Sequence, residues 1–263
     1  SKKPQTTRNR ICAVVNREGC QFVFLDTPGL HKARTRLGDY MVKVVKESVA
    51  DVDAVLLLVE PIPHIGGPEA ELIRRIKELN VPAVLVINKI DTVEKEELLS
   101  VMQVYGAAHD FAAIVPISAK RNEGVDELLG LLAQFLPEGP QLFPEDMVTD
   151  QPERQVCAEI IREKLLLCLD KEIPHGTAVE ITTFSERDDG IIDLDATIYC
   201  EKASHKGIII GKGGAMLKKI STLARTDIEA FMGTKVFLQT WVKVKENWRD
   251  NMNLIKNFGY RDE

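Results

Sequence analysis

Five short apolar runs, over residues 11–15, 21–25, 54–59, 83–87 and 113–117, alternate with stretches of helical periodicity near 36–49, 68–79, 94–105 and 125–136. An alternating strand and helix order predicts a mostly parallel sheet covered by helices. Three of the runs stop at a polar string. Phe22-Val23-Phe24-Leu25 meets Asp26-Thr27-Pro28-Gly29, Ala83-Val84-Leu85-Val86-Ile87 meets Asn88-Lys89-Ile90-Asp91, and Ile114-Val115-Pro116-Ile117 meets Ser118-Ala119-Lys120. In such sheets ligands bind outside the carboxyl ends of the strands, so all three strings fall where a site is built. Leu37, Met41, Val44, Val45 and Val49 recur at helical spacing, and the pattern predicts that they face the core of this sheet.

Each string suits one part of a guanine nucleotide. A carboxylate at Asp26 can hold Mg²⁺ through a water, and Gly29 leaves a backbone N–H free to approach a terminal phosphate with no Cβ in the way. Asp91 can accept from the N1–H and N2 amino groups of guanine. Adenine offers neither donor, so a site built on that carboxylate rejects it. Lys89 can lay its methylene stem along the base, Ser118 can orient Asp91, and the backbone N–H of Ala119 can reach the guanine O6. Taken singly, the strings have plainer readings, an ordinary turn for the first and a helix start capped by its aspartate for the second. Three in order, each closing a strand-like run, favour the nucleotide.

Pro137-Glu138-Gly139-Pro140 and Pro144 break the alternation and mark a linker. Beyond it the pattern reads helix (152–170), strand (178–187), strand (191–201), helix, glycine loop, helix (214–232), strand (235–245) and a last helix near 246–258. This α-β-β-α-α-β order, with Gly211-Lys212-Gly213-Gly214 between its two middle helices, resembles a type II KH domain. In that module a G-x-x-G loop brings backbone against the sugar-phosphate of a single strand. Lys212 would meet a phosphate, Lys218 and Lys219 follow on the next helix, and Ile208 with its neighbours would form core and groove floor. A dinucleotide fingerprint fits poorly, because Met216 stands where its last glycine belongs. A merely structural turn is the other reading.

Charge separates those two. The chain of 263 residues carries a net charge of −6, which by itself argues against nucleic acid. Yet the segment from His205 to Arg261 holds 11 Lys and Arg against 4 Asp and Glu, a local charge of +7, and the glycine loop lies inside it. The five cysteines lack CxxC pairing and the five histidines are scattered, so neither a disulfide framework nor a zinc site is indicated and a reducing compartment is expected. No run approaches membrane-spanning length.

On the three nucleotide strings and the glycine loop together, the chain resembles the Era family of bacterial ribosome-assembly GTPases over essentially its whole length. The resemblance implies a P-loop NTPase-type G domain over 1–140, a linker over 141–150 and an α+β type II KH domain over 151–263. It makes Pro4-Gln5-Thr6-Thr7-Arg8 the first switch, with Thr7, or alternatively Thr6, offering its hydroxyl to Mg²⁺. The cofactors implied are GTP or GDP and Mg²⁺, with a monovalent cation as a further candidate. The partners implied are single-stranded RNA near the 3′ end of 16S rRNA and the small ribosomal subunit during its maturation. A monomer in the cytoplasm, with a peripheral contact at the inner face of the cell membrane, is implied by resemblance only. Leu30 stands where many regulatory GTPases keep a water-orienting Gln, so slow intrinsic hydrolysis is expected, with water placed by backbone, a cation or a ribosomal partner. His31, the nearest polar side chain, is read as a surface residue. The G-x-x-x-x-G-K-[ST] phosphate loop does not occur in the sequence. In the family it precedes the first switch, and the expectation is an incomplete record of a complete GTPase. The alternative is an RNA-binding assembly factor or chaperone with a non-hydrolysing G domain.

Overall fold

The computed structural model describes residues 7–28, 35–47, 52–79 and 81–260. In chain order these form β1 (Ile11–Arg17), β2 (Cys20–Asp26), α1 (Arg36–Glu47), β3 (Val55–Val59), α2 (Gly67–Leu79), β4 (Ala83–Asn88), α3 (Lys95–Ala108), β5 (Ala113–Ile117) and α4 (Val125–Leu132). The second half contributes α5 (Glu153–Cys168), β6 (Ala178–Glu186), β7 (Ile192–Cys200), α6 (Ala203–Ile210), α7 (Ala215–Met232), β8 (Val236–Val244) and α8 (Met252–Asn257). The chain divides into two compact units. One comprises Ser1–Cys12, Asp26–Val44 and Thr149–Glu263, the other Ala13–Leu25 and Val45–Val148.

In the unit built around Val45–Val148, β3, β4 and β5 form a parallel sheet in that order. The central strand β4 is buried along Ala83 to Ile87, which explains why it reads as an unbroken apolar run rather than an alternating one. Leu85 and Ile87 pack with Ile73 and Ile76 of α2 and Val101 and Tyr105 of α3. Val84 and Val86 turn to the opposite face, against Phe22, Ile117, Leu128 and Leu132. Each fully buried side chain of this kind contributes about 1.5–3 kcal/mol relative to exposure. β1 and β2 turn through Glu18 and Gly19, whose φ of +77° suits a glycine, and pair as a separate two-stranded sheet. Among the described residues no strand joins it to β3-β4-β5, so the single sheet expected from the sequence is seen as two.

In the other unit β6 and β7 are antiparallel and β7 and β8 parallel, giving the order β6-β7-β8. Alternate residues on β7 divide between two cores. Leu194, Ala196 and Ile198 pack beneath Ile161 and Leu165 of α5, Ile209 of α6 and Ile220, Ala224 and Ile228 of α7. Tyr199 points the other way and, with Ala178, joins Trp248, Ile255 and Tyr260. Leu37, Tyr40, Met41 and Val44 of α1 complete that second cluster. The apolar stripe of α1 was expected to face the parallel sheet and instead meets this aromatic cluster. Helical periodicity identifies which face is apolar, but the partner is set by where apolar area remains uncovered. Val49 lies outside the described residues.

Candidate nucleotide and RNA sites

The loops after β4 and β5 leave from adjacent strand ends, with Asn88 in register with Ile117. Asn88 ties them together. Its Oδ1 accepts from the backbone N–H of Lys89 at 2.7 Å and of Ala119 at 3.1 Å. The first bond helps hold Lys89 at φ +70°, a left-handed conformation uncommon for a residue with a Cβ and found at functional sites. The Lys89 ammonium pairs with Glu60. The N–H of Ala119, expected to reach a guanine O6, donates to Asn88 in this structure.

Asp91 sits in a 3₁₀ turn, Ile90–Thr92, well before α3, whose N-cap position is Glu94 with no side-chain cap bond. The helix-capping explanation of this aspartate therefore fails. Its Oδ1 accepts from the Ser118 hydroxyl at 2.8 Å, and Ser118 is fully buried. That bond, above all, holds the Asp91 carboxyl below the usual range. The second oxygen lies 3.9 Å from the Arg121 Nε, too far for a hydrogen bond, and the backbone N–H of Asp91 itself also favours the charged carboxylate. A carboxylate held charged in this way, with a side chain 9% exposed, is suited to accept from a ligand's N–H groups. The loop bearing Ser118 closes through its bridge to Glu123 and turns at Gly124, at φ +74°, where a Cβ would stand 2.7 Å from the Pro116 carbonyl oxygen. Lys120 is exposed beside it.

Within the other unit, the Thr7 hydroxyl donates to Asp26 Oδ2 at 3.0 Å. Two hard oxygen donors side by side fit Mg²⁺, which takes few protein ligands and completes its shell with water and phosphate. No group of three or more His, Cys, Asp or Glu side chains able to hold a metal occurs among the described residues. Thr27 is half-buried and Pro28 buried. Gly29, Leu30, His31 and Pro4 to Thr6 lie outside the described residues.

The glycine loop separates α6 from α7. Gly211 has φ +73°, and a Cβ there would stand 2.7 Å from the Met216 Cβ and 2.9 Å from its backbone nitrogen. Gly213 and Gly214 also have positive φ, +58° and +80°, but open space around them. Lys212, Lys218 and Lys219 are exposed, the last two near the N-terminus of α7, where the helix dipole also favours phosphate. Ile209 is fully buried in the core, whereas Ile208 is 49% exposed on the same helix. Among the described residues sequence reasoning passed over three buried cations, Arg162 and Lys164 on α5 and Arg8, which reads as part of a polar loop and is 1% exposed.

Comparison with known proteins matches this anatomy. The family described as the elongation factor Tu GTP binding domain matches residues 3–138, and the KH domain family matches residues 172–249. The fold and sites thus define a GTP-binding domain joined to a KH domain. GTPase Era of Ruminiclostridium cellulolyticum is 51% identical over 99% of this chain and 88% of its own, and that of Clostridium tetani 48% identical over 99% and 89%. A solved structure of Era in complex with MgGDPNP and nucleotides 1506–1542 of 16S ribosomal RNA superposes with a TM-score of 0.94 at 36% identity, covering 100% of this chain and 89% of that one. The chain belongs to the GTPase Era family.

Two outcomes follow from this geometry. Replacing Ser118 with Ala removes the chief cause of the depressed Asp91 pKa, so the carboxyl should titrate at higher pH, read from its ¹³C chemical shift. Gly211→Ala combines positive φ with a backbone clash and should destabilise by about 1–3 kcal/mol. Gly213→Ala meets no neighbour and should cost only about 1 kcal/mol. Urea unfolding of the two variants checks the difference.

Proposed function

We propose that this protein is a GTPase whose nucleotide state governs its hold on single-stranded RNA near the 3′ end of 16S rRNA during maturation of the small ribosomal subunit. The observation that carries the reading is the match along the whole chain to a solved Era that holds MgGDPNP and 16S rRNA together. The residues described above supply chemistry for both ligands.

On this reading residues 1–140 bind nucleotide, 141–150 link and 151–263 bind RNA. Asp91, held by Ser118, reads the guanine edge, and Asn88 fixes the two loops that flank the base. Thr7 and Asp26 face Mg²⁺, which, when bound, neutralises charge on the phosphate oxygens. The backbone N–H of Gly29 approaches the terminal phosphate. Leu30 has no group to orient the attacking water, which keeps unassisted turnover slow and leaves that task to backbone, a monovalent cation or the ribosomal partner. In the RNA-binding part, the glycine loop approaches sugar-phosphate and Lys212, Lys218 and Lys219 meet phosphate charge. The protein works in the cytoplasm as a monomer. No described helix is long and apolar enough to cross a membrane, and a peripheral contact with the inner face of the cell membrane is carried by resemblance alone.

Asp91→Asn should weaken GTP and improve xanthosine triphosphate, because an amide can donate to the oxygen that replaces the guanine amino group. Competition binding reads both, and unchanged GTP affinity would remove Asp91 from the site. Replacing Lys212 and Gly213 with Asp sets carboxylates against RNA phosphates, so single-stranded RNA affinity should fall by about tenfold or more, with GTP affinity and melting temperature little changed. Intact RNA affinity in filter binding would reduce the loop to a turn.

A further inference from the structure

Arg8 follows directly on Thr7, and its side chain is buried in a pocket of the unit that also carries the KH fold. One terminal nitrogen, Nη1, donates to the Thr177 carbonyl at 2.7 Å and to the Tyr260 hydroxyl at 3.1 Å, and Nη2 donates to the His175 carbonyl at 2.8 Å. The guanidinium carbon lies 5.9 Å from the ring centroids of both Trp248 and Tyr260. Trp248 closes the pocket by donating from Nε1 to the Gly176 carbonyl at 2.9 Å. Asn9 adds a bond to the Gly259 carbonyl and accepts from the Tyr40 hydroxyl. A planar fork that stacks on aromatic rings while reaching separate carbonyls is chemistry that arginine has and lysine lacks.

The pocket has an unusual charge balance. Arg162 and Arg249 in the same unit each pair with a carboxylate, Glu159 and Glu201, at 2.5 Å. Arg8 has no ion pair among the described residues, and burial lowers its pKa. Carbonyls, a phenol and ring faces offset only part of the desolvation of a buried cation, so the seated state holds without being deeply favoured. A device with two positions requires a seated state of this kind, held but not locked. Its walls also lead to the RNA site. The carbonyls of His175 to Thr177 run straight into β6, and Trp248 follows β8, so the pocket is made from the ends of the sheet that carries α6, the glycine loop and α7.

We propose that Arg8 is a positioning residue. With its guanidinium seated, the Thr7 hydroxyl is held beside Asp26; once it is unseated, Thr7 is released, and the Mg²⁺ site and the RNA-binding fold thereby act on each other through this side chain. The proposal rests on the reading of Thr7 and Asp26 as residues that face Mg²⁺. The nucleotide that favours Thr7 beside Asp26 favours the seated pocket, and by linkage RNA that favours the seated pocket strengthens that nucleotide.

The test uses the intact protein with a non-hydrolysable GTP analogue, GDP, Mg²⁺ and a single-stranded RNA. In the wild type, amides of 174–178 and 248–260 should exchange hydrogen more slowly with Mg²⁺ and the GTP analogue than with GDP. Equal exchange would overturn the proposal whatever the variants do, including the case in which Arg8→Gln fails to fold. Arg8→Gln should raise the Mg²⁺ concentration needed for GTP-analogue binding about tenfold, leave GDP affinity within about twofold, and bring the ratio of RNA affinities in the two nucleotide states to about one. A purely structural role would not move the Mg²⁺ dependence of one nucleotide and spare the other. Thr7→Ala separates the two layers of argument. If it leaves Mg²⁺ dependence intact, the magnesium reading fails and the proposal falls with it. If it raises the Mg²⁺ requirement while Arg8→Gln does not, the role of Arg8 alone is overturned.

Discussion

The burial of Trp248 is the constraint on which the arrangement of the RNA-binding unit depends. An indole brings a large apolar surface and one N–H that must find an acceptor. Here the N–H is taken by the Gly176 carbonyl and the ring lies between Phe258, edge-on at 5.4 Å, and Tyr260, stacked at 6.2 Å. Tyr199 stacks on Phe258 in turn. A three-stranded sheet with helices on one face would leave its other face wet. The aromatic cluster covers part of that face and creates an apolar surface that α1 then occupies with Leu37, Tyr40, Met41 and Val44. Segments before residue 45 thus fold with residues after 149, although the linker signal lies near 140.

The elements were legible in the sequence because each obeys a local rule. β4 could be read from five consecutive apolar residues, since a strand flanked on both sides and covered on both faces has no reason to alternate. α5 through β8 could be read from periodicity and from the glycines between α6 and α7. What could not be read was tertiary choice. The stripe on α1 specified an apolar face and left its partner open, and Arg8 looked like any polar residue in a switch segment. A signal was present in hindsight: aromatic residues at 248, 258 and 260 behind the last strand are more apolar area than one six-residue helix can bury by itself.

The candidate site was legible to a similar depth. Asn88, Asp91 and Ser118 could be picked out because a carboxylate, an amide and a hydroxyl at strand ends suggest a polar network; in the structure Ser118 donates to Asp91 at 2.8 Å and Asn88 accepts from the backbone of Lys89 and Ala119 at 2.7 and 3.1 Å. The use of individual donors could not be picked out. The Ala119 N–H was free in the sequence argument and is engaged by Asn88 in the fold. The three glycines of the loop look alike in the sequence, yet only Gly211 is required by both its backbone angle and its neighbour Met216.

Charge is unevenly placed along the chain. A protein that binds a nucleotide and an RNA holds two polyanions, and a uniformly basic surface would attract RNA everywhere, the nucleotide loops included. With +7 gathered between His205 and Arg261 and a net charge of −6 overall, the remaining residues are strongly acidic. The acidic excess lies mainly in residues 141–204, with 15 Asp and Glu against 6 Lys and Arg, so attraction for phosphate backbones is concentrated in the segment that follows. Residues 1–140 are nearly balanced, with 17 Lys and Arg against 19 Asp and Glu, so a nucleotide there depends on local groups rather than on net charge. Mg²⁺ is such a group, a local positive charge that neutralises phosphate oxygens without adding to the basic surface that RNA meets.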